Sequence, residues 1–171
     1  DHRPPEIRLF SKPLVAPWDD SSKNVARDQA ELGERYRYRV PVPAGRGHAG
    51  APVGALHEPV YGDAGRYAAG ARQNLRLFLH GLAPAGARLY HYFFAPNPVS
   101  CAAARLQRRL ARVPAVHTIC SAPATFDRAR ALAFADRSIA LSRDTLARLE
   151  GAGVPADRDR KSTRLNSSHY S

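Results

Sequence analysis

Residues 87–123 read "ARLYHYFFAPNPVSCAAARLQRRLARVPAVHTICSAP". The aromatic run from Ala87 to Pro96 has the composition of a buried strand. Asn97 can cap a helix and Pro98 suits a first helical position. "VSCAAARLQRRLARV" then carries a helical apolar period, and "VPAVHTICSAP" returns to a strand with its exit loop. Two strands joined through a helix at this spacing argue for the right-handed βαβ unit of a parallel sheet.

The alternation continues on both sides. Upstream lie a strand "EIRLFSK" (6–12), a Pro-bounded loop, and a helix "KNVARDQAELG". Asp20, Ser21 or Ser22 can cap that helix and Gly33 can stop it. A strand "RYRYRVPVP" (35–43) and a helix over residues 66–82 follow, with residues 44–65 expected to be a long irregular connection. Downstream, "TFDRARALAFA" predicts a helix, "DRSIALS" a strand and "RDTLARLEGAGVP" an amphipathic helix. The sum is a Rossmann-like α/β domain, a parallel sheet of about six strands flanked by helices.

Composition narrows the class. The 171 residues, 44% hydrophobic and 24% charged, suit one globular domain with a core of its own. No apolar run reaches the roughly 20 residues of a membrane span. Cys101 and Cys120 have neither disulfide-framework nor metal spacing, and are expected to be free thiols of a reducing compartment. The His residues are scattered, so no metal is expected. The net charge of +11 invites an anionic partner, but the arginines are spread along the chain, and no specific nucleic acid is expected.

In open parallel sheets, ligands bind at the carboxyl ends of the strands. The first such loop is the most polar, with Trp18, Asp19, Asp20, Ser21, Ser22, Lys23 and Asn24 together. It suits a hydroxyl-rich ligand with an aromatic platform, while the same residues could equally cap the helix and pack. The loop lacks GxGxxG and GxxxxGK[ST], which disfavours dinucleotide and P-loop nucleotide sites. His117, ending its strand beside Thr118 and Ser121, could orient or deprotonate a hydroxyl; a hydrogen-bonded core histidine is the plainer alternative. Asn97 is a cap by position, and His91 reads as packing.

"RSIALSRDTLARLEGAGVP" resembles a segment near the end of the N-terminal domain of family 4 glycosyltransferases, with Asp136, Ser142 and Val154 in place. "IRLFSKPLVAPWDDSSKNVARDQA" resembles their opening strand, loop and helix, and "LYHYFFAPNPVSCAAARLQRRLARVPAVHTIC" their paired central strands. The likeness runs over most of residues 6–155. It implies the N-terminal, acceptor-side half of a GT-B fold, in a retaining transferase of hexosyltransferase type using a nucleotide-diphosphate sugar and no bound cofactor or metal. It implies a sugar or lipid-linked acceptor, a donor-binding C-terminal domain in cis, and work in the cytoplasm with peripheral contact to the inner membrane face. His117 would be the catalytic-site histidine, positioning and hydrogen-bonding rather than binding metal. Trp18, Asp19, Asp20, Ser21, Ser22, Lys23, Asn24 and Asn97 would line the acceptor side. Where many members have a Gly-rich first loop, this chain has "PWDDSSKN", so a phosphate contact there is not carried over.

The ending differs from all of this. "DRKSTRLNSSH" (159–169) resembles, residue for residue, the translation of a common short-read sequencing adapter. The expected organisation is therefore a domain over 1–158 and a non-native tail over 159–171, the natural protein continuing into its donor domain and the fragment alone inactive. A different class of function, a basic α/β module for nucleic acid or an anionic membrane surface, would be supported by Arg72, Arg76, Arg105, Arg108, Arg109 and Arg112 sharing one face. A dinucleotide-dependent oxidoreductase shares the fold but lacks the glycine fingerprint.

Overall fold

A computed structural model describes residues 4–18, 20–31, 35–44, 52–62, 70–125 and 128–153. The strands are β1 (Glu6–Phe10), β2 (Arg37–Pro43), β3 (Leu56–Tyr61), β4 (Leu89–Phe93), β5 (Ala115–Ile119) and β6 (Arg137–Ala140). Between and after them run α1 (Ser21–Glu31), α2 (Ala71–His80), α3 (Pro98–Ala111), α4 (Ala129–Leu132) and α5 (Arg143–Gly151). All strand pairs are parallel, in the order β3-β2-β1-β4-β5-β6. The chain steps outward from β1 in one direction and then, from β4, in the other. This is the strand order of a Rossmann fold, with its reversal point between β1 and β4.

Alternation within β1 divides the core. Ile7 and Leu9 pack with Ala26 and Ala30 of α1 and with Val40 and Val42 on one face. Phe10 faces the other way, into a cluster with Tyr90, Tyr92, Cys101 and Ala104 that Leu77 of α2 joins. Arg8 shares that second face and is almost wholly buried. Its guanidinium donates to Glu58 through Nε (3.1 Å) and Nη2 (3.0 Å), and to the carbonyls of His80 and Ala83. Arg39 and His80 also reach Glu58, at 3.1 and 2.9 Å.

Two expectations need correction. Residues 44–65 are not all irregular, since β3 lies within them at the sheet edge. Its sequence, "LHEPVY", alternates partly buried and exposed positions and carries Pro59, which an edge strand tolerates because one side needs no ladder. The predicted helix at 125–135 is also much shorter: α4 is a single turn, and Phe134 leaves it to pack in the core. The adapter-like residues 159–171 and the start of the helix predicted at 66–82 lie outside the described residues.

Candidate functional site

A cavity of about 540 Å³ opens at the carboxyl edge, over the crevice between β1 and β4 where the strand order reverses. Its floor is aromatic: Phe10, Phe78, Tyr92 and Phe94. Its rim is polar, with Lys12, Asp20, Ser21 and Ser22 from the first loop and helix start. Asn74 of α2, Asn97 and Ser100 at the head of α3, and Ser121 after β5 complete it. Rings below and hydroxyl, amide and charged groups above are what a sugar needs, an apolar face to stack on and directional partners for its hydroxyls.

The first loop divides between lining the cavity and holding itself. Asp20 caps α1, its Oδ1 accepting from the Lys23 amide at 3.1 Å while Oδ2 pairs with Lys12. Ser21 and Ser22 follow it onto the cavity wall. Lys23, by contrast, is fully buried and donates to the carbonyls of Val15 and Pro17. Two cations lie over the Trp18 ring, Lys23 Nζ 5.3 Å and the Arg27 guanidinium 4.6 Å from its centre. Asn24 donates to the Trp18 carbonyl at 3.0 Å. Trp18, Lys23 and Asn24 therefore fix the loop's path, and among the described residues of this group Asp20, Ser21 and Ser22 line the cavity. Asp19 lies outside the described residues.

Asn97 both caps and lines. Its Oδ1 accepts from the Ser100 amide at 2.9 Å, and the residue stands on the rim. Gln107 escaped the sequence reading. It is buried, accepts from the Tyr92 hydroxyl at 2.6 Å and donates to the carbonyls of Leu77 and Phe78. It thereby ties α3, β4 and the last turn of α2 together beneath the cavity. An amide on the apolar face of an amphipathic helix was the available signal.

His117 is buried and stands one ring removed from the cavity. Its Nε2 donates to the Phe94 carbonyl at 2.9 Å, and its ring packs 4.5 Å from Phe94 and 4.9 Å from Phe134. Burial lowers its pKa to about 4, so at neutral pH the ring is uncharged and Nε2 holds the proton. His91, on the opposite face of the sheet, is bonded to Tyr38 and Thr118, and burial lowers its pKa to about 3. Cys120 is partly buried and its thiol is pushed up by that burial. Among the described residues no group of His, Cys, Asp or Glu is arranged to hold a metal ion.

No family model matches the chain, and no curated protein matches it by sequence. Solved structures match it in fold. The Anabaena protein Alr3699/HepE in complex with UDP and glucose superposes with a TM-score of 0.57 at 16% identity, over 90% of this chain and 42% of that one. The same protein with UDP-glucose gives 0.56 at 13%. The lipopolysaccharide outer core galactosyltransferase WaaB, in its apo form, gives 0.54 at 12%, over 90% of this chain and 44% of that one. The chain has the Rossmann-like fold of the N-terminal half of GT-B proteins. It spans less than half the length of these neighbours. At such identities the likeness establishes fold, and the site must be argued from its own residues.

On this fold, the six arginines singled out above fall on two neighbouring helices of one sheet face. Arg72 and Arg76 belong to α2; Arg105, Arg108 and Arg109 belong to α3, and Arg112 caps it. Arg105 and Arg108 are engaged, donating to the carbonyls of Ala131 and Phe134, and Arg108 pairs with Asp136 at 2.8 Å. No helix among the described residues is long and apolar enough to cross a membrane.

Proposed function

We propose that this chain is the acceptor-binding half of a retaining glycosyltransferase that uses a nucleotide-diphosphate sugar, the donor being held by a second domain in cis. The observation that carries the proposal is the cavity at the strand-order reversal, floored by Phe10, Tyr92 and Phe94 and rimmed by hydroxyl and amide groups. A glycine-rich phosphate loop does not lead into it, and Asp20 with its Lys12 partner stands at that place instead. Such a rim suits an uncharged, hydroxyl-bearing acceptor better than a diphosphate. The fold likeness to WaaB and to HepE supports the same class. Asp20, Ser21, Ser22 and Asn97 would bond acceptor hydroxyls. His117 we assign a positioning role, since it fixes the Phe94 carbonyl and ring that the acceptor would meet.

A titration of isotope-labelled chain followed by NMR tests this. A panel of oligosaccharides should shift the amides of Ser21, Ser22 and Ser100, while UDP-glucose alone should bind weakly or not at all. Ala103→Trp, which fills the cavity from an exposed position on α3, should abolish the sugar response and leave the remaining spectrum in place. Tight nucleotide-sugar or NAD binding by the chain, or no sugar response at these residues, would remove the acceptor reading.

A further inference from the structure

A second cavity, of about 180 Å³, lies at the amino edge of the sheet, where α3 ends and the chain passes from α4 into β6. It shares no lining residue with the cavity at the carboxyl edge. Arg105, Arg108 and Arg109 of α3 form one wall, and residues 133–136 form the other. Two of the guanidiniums are partly used. Arg105 Nη2 donates to the Ala131 carbonyl at 2.7 Å. Arg108 donates to the Phe134 carbonyl at 3.0 Å and holds both carboxylate oxygens of Asp136, at 2.8 and 2.9 Å. Arg109 is exposed and has no hydrogen-bond or ion-pair partner among the described residues. Capping carbonyls and pairing one carboxylate thus accounts for two of the arginines, while the third adds only repulsion. Donors are left over in the other wall as well. Phe134 and Ala135 are buried, and their backbone amides meet no acceptor among the described residues. An N–H group closed off without a partner is costly.

We infer that this cavity binds a small dianionic phosphate, either the head of a soluble phosphate monoester or inorganic phosphate. Three guanidiniums against one carboxylate leave an excess of two positive charges. That is close to the charge a phosphate monoester carries at neutral pH. Guanidinium forks match phosphate oxygens in pairs, and backbone amides supply further donors. The remaining chemistry narrows the ligand. Phe134, the one ring in the lining, is packed against Tyr92, Phe94 and His117. It offers no free face to a nucleobase, so the phosphoryl group is the part recognised. A phosphodiester carries a single charge and leaves one positive charge unmatched. The inference rests on these residues alone and does not require the acceptor reading.

Titration of the isotope-labelled full chain with methyl phosphate at about pH 7.5, chloride holding the ionic strength constant, tests this by NMR. The amides of Arg109, Phe134, Ala135 and Asp136 should shift together and saturate, with a Kd on the order of a millimolar. Dimethyl phosphate, the corresponding diester, should bind about tenfold more weakly or worse. Arg109→Gln, at an exposed position, should weaken methyl phosphate binding about tenfold. Arg109→Lys should retain part of that affinity, since it keeps the charge and loses the fork. Arg72→Gln on α2 makes the same change in net charge outside the cavity and should leave the affinity as it is. Unchanged spectra elsewhere would verify that the variants fold. Absence of a saturable shift at these amides overturns the inference. So does equal affinity for the diester, the mark of a general polyanion surface. So does an equal loss from Arg72→Gln and Arg109→Gln, the mark of net charge alone. Methyl phosphate carries no sugar and is read at different amides, so failure here and failure of the acceptor titration are separate results.

Discussion

Replacing Glu58 by glutamine removes the carboxylate on which Arg8, Arg39 and His80 converge. Arg8 has 2% of its side chain exposed and Glu58 has 13%, so solvent can do little to screen or replace the lost pairing. Burial by itself would raise the Glu58 pKa. Hydrogen bonds from His80 and Arg8, the charge of Arg8 and the bond from Arg39 outweigh burial and bring it from 4.5 down to about 2. At about 1.4 kcal/mol per pH unit, a depression of that size corresponds to about 3 kcal/mol. Stranding one member of a buried ion pair costs about 3–5 kcal/mol by an independent route. We therefore expect Glu58→Gln to lose about 3 kcal/mol at pH 7. The folded-state pKa lies below the unfolded one, so this stabilisation is complete above pH 4.5 and is lost as the pH falls toward 2. The gap between wild type and variant should accordingly shrink across that window. Urea unfolding of both proteins at several pH values, read by Trp18 fluorescence and far-UV circular dichroism, measures it. His91 and His117 titrate in both proteins and cancel in the difference. A loss under about 1 kcal/mol at pH 7, or a difference that persists unchanged to pH 3, would refute the reasoning.

Four further outcomes are expected. Gly81→Ala would set a methyl 2.1 Å from Gln107 Nε2 and 2.8 Å from the Phe10 ring, so it should cost about 1–3 kcal/mol in thermal unfolding. Tyr92→Phe takes the hydroxyl from buried Gln107 Oε1 and should cost about 1–2 kcal/mol, measured in urea. Arg112 sits at φ +55°, where glycine is unstrained, so Arg112→Gly should raise stability by about 0.5–1 kcal/mol. His117 binds a proton less readily folded than unfolded, so stability should fall as pH drops from 6.5 toward 4; His117→Gln should flatten that decline in a pH series of melts.

The alternation of strands and helices was legible because its punctuation is local. Asn97 and Pro98 announce α3, Asn97 accepting the Ser100 amide expected of a cap. What escaped depends on partners distant in sequence. β3 looks like a loop until β2 supplies its ladder, because His57, Glu58 and Pro59 break the apolar run. Arg8 in "EIRLF" looks like a strand's solvent side, yet it is buried, because its counter-charge arrives from Glu58, fifty positions later.

The same division runs through the candidate site. Strand-end loops face the cavity whatever they pack against, so Asp20, Ser21, Ser22 and Asn97 could be found from order alone. Trp18 and Lys23 share that loop, but their orientation follows from packing: Lys23 satisfies two loop carbonyls, and both Lys23 and Arg27 lie over the Trp18 ring. The floor belongs to neither loop. It requires α2 and α3 to lie side by side, and Gln107 fixes that arrangement by bonding Tyr92 on one side and the α2 carbonyls on the other. Displacing Gln107 would let α2 move relative to α3, changing the cavity between them. The cavity and the packing of α2 against α3 thus share one internal clamp, and Gly81→Ala tests that coupling as well as stability, since it should weaken the sugar response at Ser21, Ser22 and Ser100 along with the fold.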